Sequence, residues 1–242
     1  MSSAPSVWVA GTDGCRAGWF VVLHEPATGR TRCRTVPAFH DLLALPERPR
    51  VLAVDIPIGL PERGAPGGRA CDRAARRLLG RPRASSVFAP PARLALRGRT
   101  HAEAQAVQRA TAPDAPGLTV QAFNLFPKLR EVDAAMTPAL QGRVREAHPE
   151  LTFRALNGGE AVAAPKRRAE GRRLRLALLE RAGFEEVAEA VEAHRGLGVA
   201  RDDVADAFAC CWTAGRIARG EAERLPERPP TDARGLRMEI WY

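Results

Sequence analysis

The stretch Val7-Trp8-Val9-Ala10-Gly11-Thr12-Asp13-Gly14-Cys15-Arg16-Ala17-Gly18-Trp19-Phe20-Val21-Val22-Leu23 constrains this chain more than any other. It reads as a short apolar strand, a glycine-punctuated turn and a second apolar strand. The apolar residues of Val7 to Ala10 run on without alternating, the pattern of a strand covered on both faces. Gly11, Gly14 and Gly18 permit the reversal, although the connection is longer than a two-residue turn. Asp13 therefore stands where a central strand meets solvent, either as a turn-former or as a ligand anchor.

The rest of the first quarter extends this pattern. Thr31 to Val36 fits a third strand, with Thr28-Gly29-Arg30 as the turn before it. Phe39, Leu42 and Leu43 recur at helical spacing within 37–45. Arg50-Val51-Leu52-Ala53-Val54 is again continuously apolar and ends in Asp55-Ile56-Pro57-Ile58-Gly59-Leu60-Pro61, whose prolines forbid further strand or helix. The order is strand, strand, strand, helix, strand, with an aspartate at the tip of the first and fourth strands.

From 62 to about 130 the composition shifts toward Arg, Gly and Pro. Helices are expected over 71–79 and 101–110, and an apolar-aromatic piece over 121–129, broken at Pro127. This region reads as a basic insertion or lid on the sheet. A further strand is expected over 142–153. A helix is expected over 166–181, with Leu174, Leu176, Leu178 and Leu179 on its apolar side and Arg167, Arg168, Arg172, Arg173 and Arg175 on its basic side. A turn or two of helix fits 188–194. The last long helix fits 202–219, with Val204, Phe208, Cys211, Trp212, Gly215 and Ala218 as its apolar stripe. Met238 to Tyr242 fits an edge strand. No internal repeat is apparent, and one domain spans 1–242.

Charge points to the class of partner. The formal net charge is +9 and the isoelectric point near 10.4, which favours anionic partners, nucleic acid first. Nearly all the positive charge is arginine, Lys128 and Lys166 being the only lysines, as in a chain written in GC-rich codons. The five cysteines form no CxxC pair, so free thiols in a reducing cytosol are expected, with neither zinc nor a disulfide framework. No apolar run approaches a membrane span and no secretory signal is visible, so a cytoplasmic protein with no membrane association is expected.

Four acidic positions carry the chemistry: Asp13, Asp55, the Glu146/Glu150 pair and Asp203/Asp206. Two parallel strands side by side would bring Asp13 and Asp55 within a few ångströms, where they repel unless a cation bridges them. Oxygen ligands without a Cys or His cluster favour Mg2+ or Mn2+ over zinc. Asp203 and Asp206 share a helical face and complete such a set, although Asp202 and Asp203 also suit the role of helix cap. Acids holding two ions roughly 4 Å apart hydrolyse phosphodiesters. Asp55 is alternatively a turn-former, His148 a structural histidine, and Glu131 and Asp133 surface acids.

At these residues the chain resembles a known family. Thr12-Asp13-Gly14-Cys15-Arg16-x-Gly-Trp19, Asp55-Ile-Pro-Ile-Gly-Leu-Pro61, Cys71-Asp72-x-x-Ala-Arg76, Ser85-Ser-Val-Phe88, Pro127-Lys128-x-x-Glu131-Val-Asp133, Glu146-x-His-Pro-Glu150, Asp202-Asp-Val-x-Asp-Ala207 and the closing Arg234-Gly-Leu-Arg-Met-Glu-Ile-Trp-Tyr242 are similar to the motif series of the domain of unknown function 429. The resemblance covers nearly the whole chain. It implies a ribonuclease-H-like fold and a nuclease, with Asp13, Asp55 and Asp203 or Asp206 as metal ligands and Glu131 or Glu150 as the other acid.

The expectation is thus an α/β fold, a ribonuclease-H-like mixed five-stranded sheet flanked by helices, with the basic insertion after the fourth strand. The expected function is metal-dependent hydrolysis of nucleic acid by two Mg2+ or Mn2+ ions on Asp13, Asp55, Glu150 and Asp203 or Asp206. Arg16, Arg69, Arg73, Arg76, Arg77, Lys166 and Arg167 would hold the phosphate backbone. The rival readings are an actin-like or sugar-kinase-like ATP-binding phosphotransferase and a non-catalytic nucleic-acid-binding protein.

Overall fold

The computed structural model of the chain describes residues 7–113 and 117–242. Its main sheet joins β1 (Val9–Cys15), β2 (Gly18–Glu25), β3 (Arg30–Val36), β4 (Val51–Val54) and β5 (Val144–Glu146) in the order β3-β2-β1-β4-β5. The first three strands form an antiparallel meander, whereas β4 runs parallel to β1 and β5 parallel to β4. This is the mixed five-stranded α/β arrangement expected from the sequence, and it agrees with a ribonuclease-H-like sheet.

Strand periodicity divides the sheet residues between two apolar layers. Ala10, Trp19, Val21, Leu23, Leu52 and Val54 face one core, shared with α1 (Phe39–Leu43) through Phe39 and Leu42. Val9, Phe20, Val22, Val51 and Ala53 face the other, which is covered by α9 (Arg201–Arg219) through Val204, Ala207, Phe208 and Cys211. β1 is therefore buried from both sides, as its unbroken apolar run requires. Among the described residues no helix is long and apolar enough to cross a membrane.

The segment between β4 and β5 is a structural layer, not a lid. Its helices are α2 (Ala70–Arg83), α3 (His101–Thr111), α4 (Val120–Asn124) and α5 (Phe126–Ala135). Ala104, Leu118, Ala122, Phe126, Leu129 and Val132 belong to the same core as Trp19 and Val21. This piece is interrupted at Leu125, between α4 and α5, two residues before Pro127, which stands in the first turn of α5, where a missing N–H costs nothing. α2 packs instead with the C-terminal tail, where Cys71, Leu79, Ile240 and Tyr242 share a smaller core.

Three other expectations need correction. The strand expected over 142–153 ends at Glu146, because Pro149 opens α6 (Pro149–Leu156) in the position proline favours. The helix expected to begin at Lys166 begins three residues later, as α7 (Ala169–Arg181), which leaves Lys166 in the loop before it. Its phase also differs. Gly171, Arg175, Leu178 and Leu179 form the buried stripe, so Arg175 points inward and Leu174 lies at the surface. α8 (Val187–Ala193) follows as expected. The tail pairs as β7 (Ile240–Trp241) with β6 (Arg224–Leu225), and a single bridge from Trp241 to Ala147 joins this ribbon to the main sheet.

Candidate active site

Register places the first two acids. Thr12 pairs with Val54 across the parallel β1–β4 ladder, and the Asp55 N–H donates to the Thr12 carbonyl at 3.0 Å. Asp13 and Asp55 are the next residues on each strand. They follow the alternation of Val9 and Gly11, and of Val51 and Ala53, and so point to the α9 face. α9 comes unusually close there. A Cβ on Gly11 would lie 1.9 Å from the Cys211 nitrogen and 2.3 Å from the Ala207 carbonyl, so only glycine admits the helix. That approach brings Asp206 onto the strand tips. One oxygen from each of Asp13, Asp55 and Asp206 lies within 4.8 Å of the others.

The structure separates the two aspartates of α9 that the sequence left as alternatives. Asp203 accepts the Ala200 N–H at 2.9 Å and so caps the helix start, while Asp206, one turn in, enters the cluster. Asp203 still borders the cavity. Burial raises its carboxyl to about 6.

Burial and mutual repulsion shape the cluster's electrostatics. Asp55 is pushed up to about 8 by burial and then by Asp206. Asp13 is raised well above the usual carboxylate range by burial, Asp55 and Asp206. Asp206 is raised by burial against the pull of Lys166. Lys166 Nζ sits 2.5 Å from Asp206 Oδ2 and 3.4 Å from Asp202 Oδ2. Burial works against its charge, but the carboxylates prevail and hold it protonated.

The other expected acids take different places. Glu146 pairs with Val54 and therefore points to the opposite face of the sheet. There Arg69 donates to both its oxygens, to Asp72, and to the carbonyls of Ile58 and Gly59. Burial still lifts the Glu146 carboxyl to about 7. Glu150 borders the cavity, but Arg175 Nη2 donates to both its oxygens at 2.7 and 2.8 Å. Glu131 lies outside the cluster. It accepts the Trp19 indole N–H at 2.9 Å and the Phe39 N–H at 2.8 Å, with Lys128 beside it. Burial raises its carboxyl, but these donors outweigh burial and hold it below the usual range. Trp19 belongs to the core on the face opposite α9, so Glu131 braces the hairpin and does not complete the acid set.

The expected basic residues divide as well. Arg69 is buried in its ion pairs and cannot meet a polymer. Arg76 donates to the carbonyls of Val87 and Gly67, and Arg73 to that of Gly68. Arg16, Arg73, Arg77 and Arg167 are exposed, and Arg167 borders the cavity. Lys166 is part of the acid cluster, not of a surface stripe. The sequence pattern puts Arg175 on a basic surface and Lys166 on the phosphate backbone, whereas Arg175 pairs with Glu150 and Lys166 with Asp206. The available signal was the rarity of lysine in an arginine-rich chain.

Asp13, Asp55, Asp206, Glu150, Lys166 and Arg167 border a cavity of about 410 Å³, within the roughly 300–1,000 Å³ of small-ligand sites. His148 also borders it, and its Nδ1 is buried without a partner among the described residues. Burial lowers the His148 pKa. Three carboxylates of hard oxygen donors, converging from β1, the β4 tip and α9, fit a divalent ion such as Mg2+ or Mn2+.

The sequence model of the family described as "Protein of unknown function (DUF429)" matches residues 11–231, and the chain belongs to that family. No curated protein and no solved structure matches the chain.

Proposed function

We propose that this member of the family is a divalent-metal-dependent nuclease that hydrolyses phosphodiester bonds in the cavity beside Asp13, Asp55 and Asp206. The observation that carries this reading is the convergence of one oxygen from each of those residues within 4.8 Å. Isolated carboxylates at that spacing repel, and a bridging cation relieves them. Mg2+ or Mn2+ would be held by Asp13, Asp55 and Asp206, and when bound would polarise a phosphoryl oxygen and lower the pKa of water.

The protein's own groups account for the remaining needs. Arg167 at the cavity edge offers a guanidinium to an incoming phosphate, and exposed Arg16, Arg73 and Arg77 extend the positive surface. Hydrolysis joins a water oxygen to phosphorus and breaks one phosphorus–oxygen ester bond. The water's proton leaves with the departing alkoxide or to solvent.

The test is cleavage of labelled single- and double-stranded DNA and RNA by the purified chain, with and without Mn2+, beside an Asp13→Asn variant. Cleavage that needs Mn2+ and disappears in the variant is expected. Cleavage that survives both chelation and the substitution would point to a contaminating enzyme and remove support for the reading. A chain that takes up ATP and ignores polymers at low salt would instead favour the phosphotransferase.

A further inference from the structure

We infer that Lys166 is the resident second cation of this site, so that the chain takes one divalent ion where its acids alone imply two. The inference rests on the metal-dependent reading above and specifies it. Lys166 Nζ lies 2.5 Å from Asp206 Oδ2, and Asp206 is itself within 4.8 Å of Asp13 and Asp55. The ammonium therefore stands against the Asp206 corner of the carboxylate triangle. Asp202 Oδ2, 3.4 Å away, steadies it from the outer side.

The lysine is held there by its backbone. Arg175 Nη1 donates to the Ala164 carbonyl at 2.9 Å while its other nitrogen grips Glu150. The Arg168 N–H donates to the Pro165 carbonyl at 3.0 Å, closing a turn around Lys166. The first turn of α7 presses on the same segment. A Cβ on Gly171 would sit 2.2 Å from the Pro165 carbonyl oxygen, so α7 and the loop meet backbone to backbone. A swinging surface lysine needs none of this.

Charge counting agrees. Within the triangle of Asp13, Asp55 and Asp206, three carboxylates and one ammonium leave two negative charges, which one divalent ion neutralises; Asp202 and Asp203 border the cavity outside the triangle. A second divalent ion would share Asp206 with a fixed positive charge and be repelled by it. Composition gives independent support. The chain has 37 basic residues, of which Lys128 and Lys166 are the only lysines. A planar guanidinium reaches carboxylates side-on with several donors, whereas an ammonium is a compact point charge and the better substitute for a metal ion.

The deciding experiment is Mn2+ binding to the full chain, counted by calorimetric titration and by electron paramagnetic resonance. The wild type should bind one Mn2+ and give the resolved six-line spectrum of an isolated ion. Lys166→Met should bind two, and their spectrum should broaden through coupling, since paired ions lie roughly 3.5–4 Å apart. Lys166→Arg, which keeps the charge, should remain at one. Two ions on the wild type would overturn the inference while leaving the metal-dependent reading intact, and this count does not depend on any variant folding. A single ion on a folded Lys166→Met, checked by circular dichroism, would overturn it too. No ion on the wild type would sink the metal-dependent reading itself.

Discussion

Two groups of buried and half-buried carboxylates border one cavity, and their charges are compensated in opposite ways. Asp72, Glu146 and Glu150 meet Arg69 and Arg175, buried cations that donate directly to their oxygens. Asp13, Asp55 and Asp206 converge within 4.8 Å of one another, and among the described residues the one cation paired with them, Lys166, is on Asp206. The first group is assembled by the fold and finished by it. The second is assembled by the fold and left short of positive charge. Burial alone does not distinguish a structural carboxylate from a functional one; the difference is whether the protein brings its own cation to each.

Removing a cation from the finished group should break the comparison most violently. Arg69→Ala leaves Asp72 and Glu146 buried with backbone N–H donors but no cation, and frees the Ile58 and Gly59 carbonyls. Loss of one member of a buried pair costs about 3–5 kcal/mol, so urea denaturation at pH 8 should show a fall of that size. Replacing Arg69 and Glu146 together by methionine should cost less than Arg69→Ala alone. If Arg69→Ala unfolds at the wild-type urea concentration, the two groups do not differ as argued.

Removing an acid from the unfinished group should do the reverse. Asp55→Asn takes away a repelling charge, so the metal-free protein should gain on the order of 1–3 kcal/mol near pH 8. The same change should remove the Mn2+-induced rise in melting temperature and lower any nuclease activity at least about a hundredfold. An Asp55→Asn protein that keeps the Mn2+ shift would return that residue to turn formation.

The pH dependence separates the groups without mutation. Asp55 is raised to about 8 and Asp203 to about 6, from ordinary values below 4. Such acids bind protons more tightly folded than unfolded, so their contribution favours the folded state at lower pH and is lost as pH rises through those values. Asp13 and Asp206 act in the same direction, while Lys166 limits the effect. Metal-free stability should therefore decline from about pH 4, where the unfolded carboxyls have released their protons, to about pH 8, by at most about 1.4 kcal/mol per pH unit for each proton released. Mn2+ affinity should climb over the same window, because the ion competes with those protons. The lowered His148 opposes the first trend below its ordinary value, so Asp55→Asn is the control that isolates the cluster.

Much of this was legible in the sequence, and the limits have physical causes. Continuous apolar runs ending in Asp13 and Asp55 fixed both acids on neighbouring strands, since register follows from pattern. The helical spacing of Asp203 and Asp206 put both on α9 but could not say which caps it; that depends on where the first turn begins. Glu131, Glu146 and Glu150 looked equivalent because composition does not reveal which face of a sheet an acid meets. The inward turn of Arg175 was hidden for a related reason. An arginine in a basic run reads as surface until its carboxylate partner is known.

The smallest expected effect concerns the exposed arginines, which belong to neither group. Arg16 after β1, Arg77 on α2 and Arg167 at the cavity edge are exposed, and among the described residues none is paired with a carboxylate in the way Arg69 and Arg175 are. Replacing all three by alanine should leave folding stability within about 0.5 kcal/mol of the wild type for each change. Nucleic acid would feel the loss. Each phosphate contact removed lowers the log–log salt slope of binding by about 0.9 on duplex DNA or 0.7 on a single strand. The triple variant should therefore bind every sequence more weakly and less salt-dependently, with Mn2+ binding unchanged. Arg76 is the internal control, because its donors already serve the Val87 and Gly67 carbonyls. Arg76→Ala should destabilise the loop it braces and alter the salt slope little. Should Arg76→Ala flatten the slope as much as the exposed triple, the positive surface is drawn wrongly and polymer binding lies elsewhere on the chain.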